Sequence, residues 1–299
     1  MTTDREARIA LAVLGAHPMP YPGTLPTRLT PAEVLDRIIT HPDTFSLPAG
    51  WPTQLTAAQA RQKGNDAQDY ADHLDALLIT PDDEGWPQAV ADLPDNAQPW
   101  CLWTKGAYDL NSISARSVAI TGARAATAYG QHVAEQLAAD VTEQGWTVAA
   151  GAAYGIDAAA HRGALGASTQ AVPTMAVLAF GIDRHYPLAH APLLDAITAH
   201  GVTVTPYKPG TQPTRALFQD RTQLLAALTR GTVLVEAGQR STSALTHHHA
   251  GSLRRVQMAV PGPVSSAQSL GTNQILKSPD VRLITGYYDI IEALTPAQP

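Results

Sequence analysis

The chain has 299 residues, 44% of them hydrophobic, a formal charge of −6 and one cysteine. That is enough apolar material for a full α/β core with a smaller appendage, and a lone Cys101 excludes an internal disulfide. No apolar run approaches the roughly 18 residues of a membrane span, and the N-terminus lacks the basic and apolar segments of a signal peptide, so a cytoplasmic protein without membrane association is expected.

Residues 1–79 read as a small helical domain. Arg5 to Leu14 and Pro31 to Ile39 carry apolar positions at helical spacing, and Thr30-Pro31 supplies an N-cap followed by proline at the first helical position. A third helix is read from Ala57 to Leu78, with Asp66, Asp69, Asp72 and Asp75 on a face that solvation explains better than a docked partner. Acid is concentrated here: residues 1–100 hold 6 Lys and Arg against 14 Asp and Glu, and residues 101–299 hold 14 against 12. Binding follows local potential, so a basic groove on the later part is compatible with the negative total. Residues 80–114 read as a connector packing on the main domain. Cys101-Leu102-Trp103 is a short strand ended by Gly106, and Trp86, Trp100 and Trp103 are structural anchors more than base-stacking surfaces.

Residues 115–299 alternate strand and helix. Val118 to Thr121 is a strand, Gly122 and Gly130 bracket a turn carrying Arg124 and Thr127, and a helix follows over Gln131 to Glu143. Trp146 to Ala150 is a second strand ending at Gly151, and Gly155-Ile156-Asp157 opens the next helix. Further strands are expected at Met175 to Leu178, Val202 to Pro206, Thr232 to Glu236 and Gln257 to Val260. Helices are expected over Ala191 to His200, Phe218 to Leu228 and Ser243 to Leu253, and Ile284 with Asp289 to Leu294 closes the fold. The pattern implies a doubly wound, mainly parallel α/β sheet covered on both faces, whose ligand crevice lies at the carboxyl ends of the strands.

The candidate chemistry follows the strands. Gly122-Ala123-Arg124 has arginine where G-x-G-x-x-G has its second glycine, which favours a phosphate met by a cation over a dinucleotide. The turn amides are expected to assist. Phe218, with Arg215 three residues before it, suits base stacking beside a phosphate contact as well as it suits a helix-start core position. Asp157 and His161, four apart on one helix face, suit a cap and a loop contact better than a metal or an acid/base pair. His247, His248 and His249 point about 100° apart and cannot share one ligand face. Glu236 ends a strand before Arg240, Ser241 and Thr242, where turn stabilisation is at least as good an account as catalysis. No nucleophile motif is present, so no catalytic residue, metal or cofactor is expected.

Five stretches, VAITGARAATAYG, AGAAYGIDAAAHRGAL, AVLAFGIDRHYPLAH, KPGTQPTRALFQDRTQLLAALTRGTVLVEAGQRS and MAVPGPVSSAQSLGTNQIL, occur in an order that resembles the DNA-processing protein A family (DprA, also called Smf). The resemblance covers about Ala115 to Leu294, and also takes in the connector from Thr80. It implies a Rossmann-like, dimeric, non-enzymatic protein that binds and protects single-stranded DNA and loads a RecA-type recombinase in natural transformation. Mapped onto this chain, the family's binding positions are Arg124, Arg215, Phe218 and Arg221, with Gly122, Gly151 and Gly155 shaping the pocket; Thr127, Arg240 and Ser241 complete the DNA-binding set. The sequence departs from the family at Thr222-Gln223, where Asn-Arg is common, at Asp220 and Tyr154, and at Thr242 in place of glycine; it ends soon after Leu294, where some members continue into a winged helix. Two other readings stand beside this one. A nucleotide-hydrolysing relative of the superfamily would carry P-G-G-x-G-T-x-x-E, which is missing, and a nucleotide sensor or adaptor would bind without DNA.

Overall fold

The computed structural model describes residues 2–15, 29–45, 47, 51–52, 54–107, 109–167, 169, 171–239 and 241–295. Three helices come first: α1 (Asp4–Leu14), α2 (Pro31–Thr40) and α3 (Ala57–His73). Thr3, Thr30 and Thr56 each cap one of them, accepting from the backbone three residues on, while Glu6, Glu33 or Gln59 returns a bond to the threonine N–H. Such boxes satisfy donors that a helix start leaves open. The helices bury Leu11, Leu35 and Ile38 in one cluster with Trp103 and Phe180, and so pack on the sheet as well as on each other.

The third helix stops at His73, five residues short of the expected end. Asp75 turns the chain at φ 52°, and Leu77–Ile79 forms β1, paired antiparallel with β2 (Leu102–Gly106). Leu78 and Ile79 are buried in the clusters on opposite faces of the sheet while Leu77 is exposed, so strand pairing at a sheet edge overrides the helical spacing of the leucines. The connector thus contributes an internal strand, because β2 also pairs with β6 (Val202–Thr205). Trp86, Trp100 and Trp103 are all buried, as structural anchors are.

The rest of the chain runs α4 (Leu110–Ala115), β3 (Ser117–Thr121), α5 (Ala128–Glu143), β4 (Thr147–Ala150), α6 (Ile156–Gly166), β5 (Thr174–Val177), α7 (Ala191–His200), β6, α8 (Arg215–Ala227), β7 (Gly231–Leu234), α9 (Ser243–Ser252), β8 (Val256–Ala259), α10 (Leu270–Ile275), β9 (Val281–Leu283) and α11 (Tyr287–Leu294). The nine described strands form one sheet in the order β1-β2-β6-β5-β4-β3-β7-β8-β9, parallel from β6 to β9.

Alternate strand residues serve opposite faces. Val118, Ile120 and Val148 join α5, α6 and α11 in one cluster, whereas Ala119, Ala149 and Met175 join α4 and α8 in another. The sheet is therefore wound on both sides, and its strand order reverses direction between β3 and β7, the point where an open parallel sheet has its crevice. Among the described residues no helix is long and apolar enough to cross a membrane.

Candidate nucleic-acid interface

The crevice is built from three loops that lock one another. After β3, Gly122 lies so close to the β7 loop that a Cβ there would sit 2.6 Å from the Glu236 carbonyl. Ala123 N–H donates to that carbonyl at 2.7 Å, and the Ala123 carbonyl accepts from Ile156 N–H at 3.2 Å. Gly155 has φ 76°, and a side chain on it would run into the Ala123 and Arg124 carbonyls; glycine is required twice over, by conformation and by space.

Two buried carboxylates complete the lock. Asp157 accepts from Thr121 Oγ1 at 2.7 Å and from Gly151 N–H at 3.0 Å. Glu236 accepts from Thr127 N–H at 2.9 Å and Thr127 Oγ1 at 2.6 Å. The Thr127 hydroxyl in turn caps α5 by accepting from Gly130 N–H. The amides of Gly151 and Thr127, expected from sequence to face an anion, are thus engaged by protein carboxylates. Glu236 holds two loops together, and Asp157 ties the end of β3 to the turn after β4. His161, four residues beyond, is fully buried on Thr174 Oγ1 at 2.7 Å, and burial pushes its pKa down to about 3, so it is neutral. Asp157 and His161 share a helix but not a site. His247 faces inward to Gln257, whose amide lies 3.1 Å from Nδ1.

The locked loops surround a cleft of about 410 Å³, lined by Arg124, Asp157, Phe218, Arg221, Ser241 and Thr246 among others. Arg221 is the decisive member. It is only 6% exposed, its guanidinium occupies the space that a Cβ on Gly151 would fill, and its Nε is buried with no hydrogen-bond partner among the described residues. Burial lowers its pKa, opposed by Asp157. A cation set into the cleft wall in this way is an anion site in waiting. At the mouth, exposed Arg124 lies over the half-buried Phe218 ring, Cζ 4.8 Å from its centroid, which is cation–π range.

The structure therefore gathers Gly122, Arg124, Phe218, Arg221 and Ser241 on one cleft. Ser241 Oγ pairs with Ser243 Oγ at 2.6 Å. Arg215 is exposed on the first turn of α8, outside the cleft lining, and Arg240 lies outside the described residues. Of the departures, Thr222 and Thr242 line the cleft, but Gln223 and Asp220 line a separate cavity between α8 and the end of α1. Sequence reasoning missed Thr246 and Gln268, brought to the cleft from α9 and the segment before α10; their only signal is position after a strand.

Residues 77–295 match the family of DNA recombination-mediator protein A. The chain is similar to a putative DNA processing protein DprA of Mycobacterium tuberculosis, 44% identical over 74% of this chain and 60% of that protein. It is also similar to the DNA processing protein DprA of Streptococcus pneumoniae, 31% identical over 70% of this chain and 71% of that one. The crystal structure of the Streptococcus pneumoniae protein superposes with TM-score 0.67 at 28% identity, covering 80% of this chain and 83% of that chain. DNA processing protein A of Helicobacter pylori gives 0.64 at 23% identity over 73% and 95%, a likeness of fold.

Proposed function

The chain belongs to the DNA recombination-mediator protein A family, and from that premise we propose that it binds single-stranded DNA in the cleft between the β3 and β7 loops. The Helicobacter pylori relative is described as binding single-stranded DNA. The observation that carries the reading here is the buried Arg221 guanidinium facing the cleft, with no ion pair within 4.0 Å among the described residues, and with Phe218 and Arg124 paired at its mouth. Arg221 and Arg124 hold phosphates, and Phe218 stacks a base, the combination a sequence-tolerant single-strand site uses. Arg215, exposed one turn before Phe218, extends the basic track.

The action is non-catalytic. Asp157, which lines the cleft, and Glu236, which holds the loop after β3, are both committed to fixing loops, which supports a holding role over proton transfer. The biological role is the protection of incoming single strands and the loading of a RecA-type recombinase in natural transformation, by a cytoplasmic homodimer.

The test is titration of a fluorescent single-stranded oligonucleotide at several salt concentrations, with duplex DNA and nucleoside monophosphates as competitors. Micromolar or tighter binding that weakens with salt and resists mononucleotides is expected. Displacement by a mononucleotide, or release of free base from one, would move the cleft to the small-ligand reading.

A further inference from the structure

Beside the cleft, the loop between β5 and α7 presents Tyr186, whose residue surface is 42% exposed. Its ring stands edge-on to the fully buried Phe180, centroids 6.1 Å apart at 66°, so a core residue fixes its position. On its other side the Phe218 ring lies 5.6 Å away, tilted by 48°. Arg124, Phe218 and Tyr186 are therefore in consecutive contact, beginning at the cleft mouth.

Tyr186 opens onto a separate depression of about 280 Å³, walled by Asp183, Arg184, His185, Leu188, Gln212 and Pro213. The charged groups there are engaged by neighbours, apart from the buried Arg184 Nε, which has no partner among the described residues. Asp183 Oδ1 accepts from Gly210 N–H at 2.8 Å, and His185 Nε2 meets Asp195 Oδ1 at 3.0 Å. Both Arg184 Nη atoms face the Gln212 amide, whose oxygen, turned toward them, accepts at 3.0 and 2.8 Å. What remains open is an aromatic ring with apolar Leu188 and Pro213, Leu188 itself being highly exposed. A carboxylate at the wall disfavours a phosphate, whereas a flat, weakly polar ring suits the surface.

We infer that this depression is a second nucleobase seat, in which Tyr186 stacks the base adjacent to the one on Phe218. The inference rests on the single-stranded DNA reading above. The 5.6 Å between the two protein rings lies within the roughly 4.5–7 Å over which aromatic rings stay in contact, so bases on both would be neighbours on one strand. Because Tyr186 is already held on Phe180, seating a base orders little that was free, which favours affinity.

The test uses the full chain and a short oligothymidylate carrying one abasic position, walked along its length, with anisotropy as the readout. The parent is expected to lose affinity at two adjacent abasic positions. Tyr186→Ala binds the intact oligonucleotide about 5- to 150-fold more weakly, the range expected for one lost stack, and becomes indifferent at one of the two positions only. Tyr186→Phe behaves as the parent. Two results overturn the second seat: Tyr186→Ala binding like the parent, or losing sensitivity at both positions, which would mean that Tyr186 only props Phe218. If Phe218→Ala binds as tightly as the parent, the DNA reading itself falls, and that outcome is separate from the other two.

Discussion

Arg221→Met removes the buried charge while keeping most of the apolar stem, and the consequences for stability and for binding run in opposite directions. Among the described residues, the ion pairs within 4.0 Å use Arg5, Arg8, His185 and Arg255, so Arg221 has none. Its desolvation is offset by the longer-range field of Asp157 and then of Tyr207, against the like charge of Arg124, and Asp157 keeps its Thr121 and Gly151 bonds without it. Replacing buried charge by hydrophobic side chains is often neutral or stabilising where no charge is left without partners, and the Asp157 carboxylate that stays is held by its two hydrogen bonds. The Met variant should therefore melt at or above the parent temperature, with about 1 kcal/mol moving the midpoint by roughly 2–4 °C. Binding goes the other way. A charge-assisted contact is worth about 1.5–3 kcal/mol, so affinity should fall about 10- to 150-fold, and the slope of log K against log salt should flatten by about 0.7, one phosphate's share on a single strand. Gly151→Ala should lower affinity too, because its Cβ takes the guanidinium's place, and the two changes together should be less than additive. A Met variant that loses more than about 2 kcal/mol in urea unfolding and keeps the parent salt slope would refute this, and mark Arg221 as a structural cation.

Glu236→Gln separates loop fixing from catalysis: weakening the Thr127 contacts should cost about 1–2 kcal/mol in urea unfolding and leave oligonucleotide affinity within about twofold, and a larger loss of affinity at full stability would give the carboxylate a direct role. Gly155→Ala should lower stability by more than about 1–3 kcal/mol, since φ 76° and two backbone carbonyls both oppose a side chain; thermal unfolding reads it. His161 has its pKa lowered by burial from 6.5 to about 3, so above pH 6.5 the folded and unfolded states bind equal protons at this site. Below that pH only the unfolded chain takes one up, and stability is lost as pH falls toward 3. At about 1.4 kcal/mol per pH unit, the drop between pH 6.5 and 5 is about 2 kcal/mol from this residue. Urea unfolding at pH 7 and pH 5 should show it, and His161→Gln should flatten the difference.

Much of the architecture was legible before any coordinates. Helices and strands over 115–295 are short, regularly spaced and punctuated by glycine, so their periods identify them locally, and α7 over Ala191–His200 matches its expected bounds. The leucines at the end of α3 point the wrong way for a physical reason: Leu74, Leu77 and Leu78 satisfy a helical spacing, and only the presence of β2 alongside turns Leu77–Ile79 into an edge strand.

The site divides in the same way. Sequence by itself placed Arg124 after a strand and Phe218 near a helix start, and the order of the motifs identified the family; these depend on residues close together along the chain. Tertiary structure alone decided that Arg221 is buried while Arg215 is exposed, although both lie on one helix, because burial depends on which side of α8 meets Gly151. It alone decided that the turn amides answer to Asp157 and Glu236, and that Tyr186 stands next to Phe218, 32 positions further along the chain. Those pairings are made by the strand order, which brings the loops after β3, β4 and β7 to one edge of the sheet, and no local pattern carries that order.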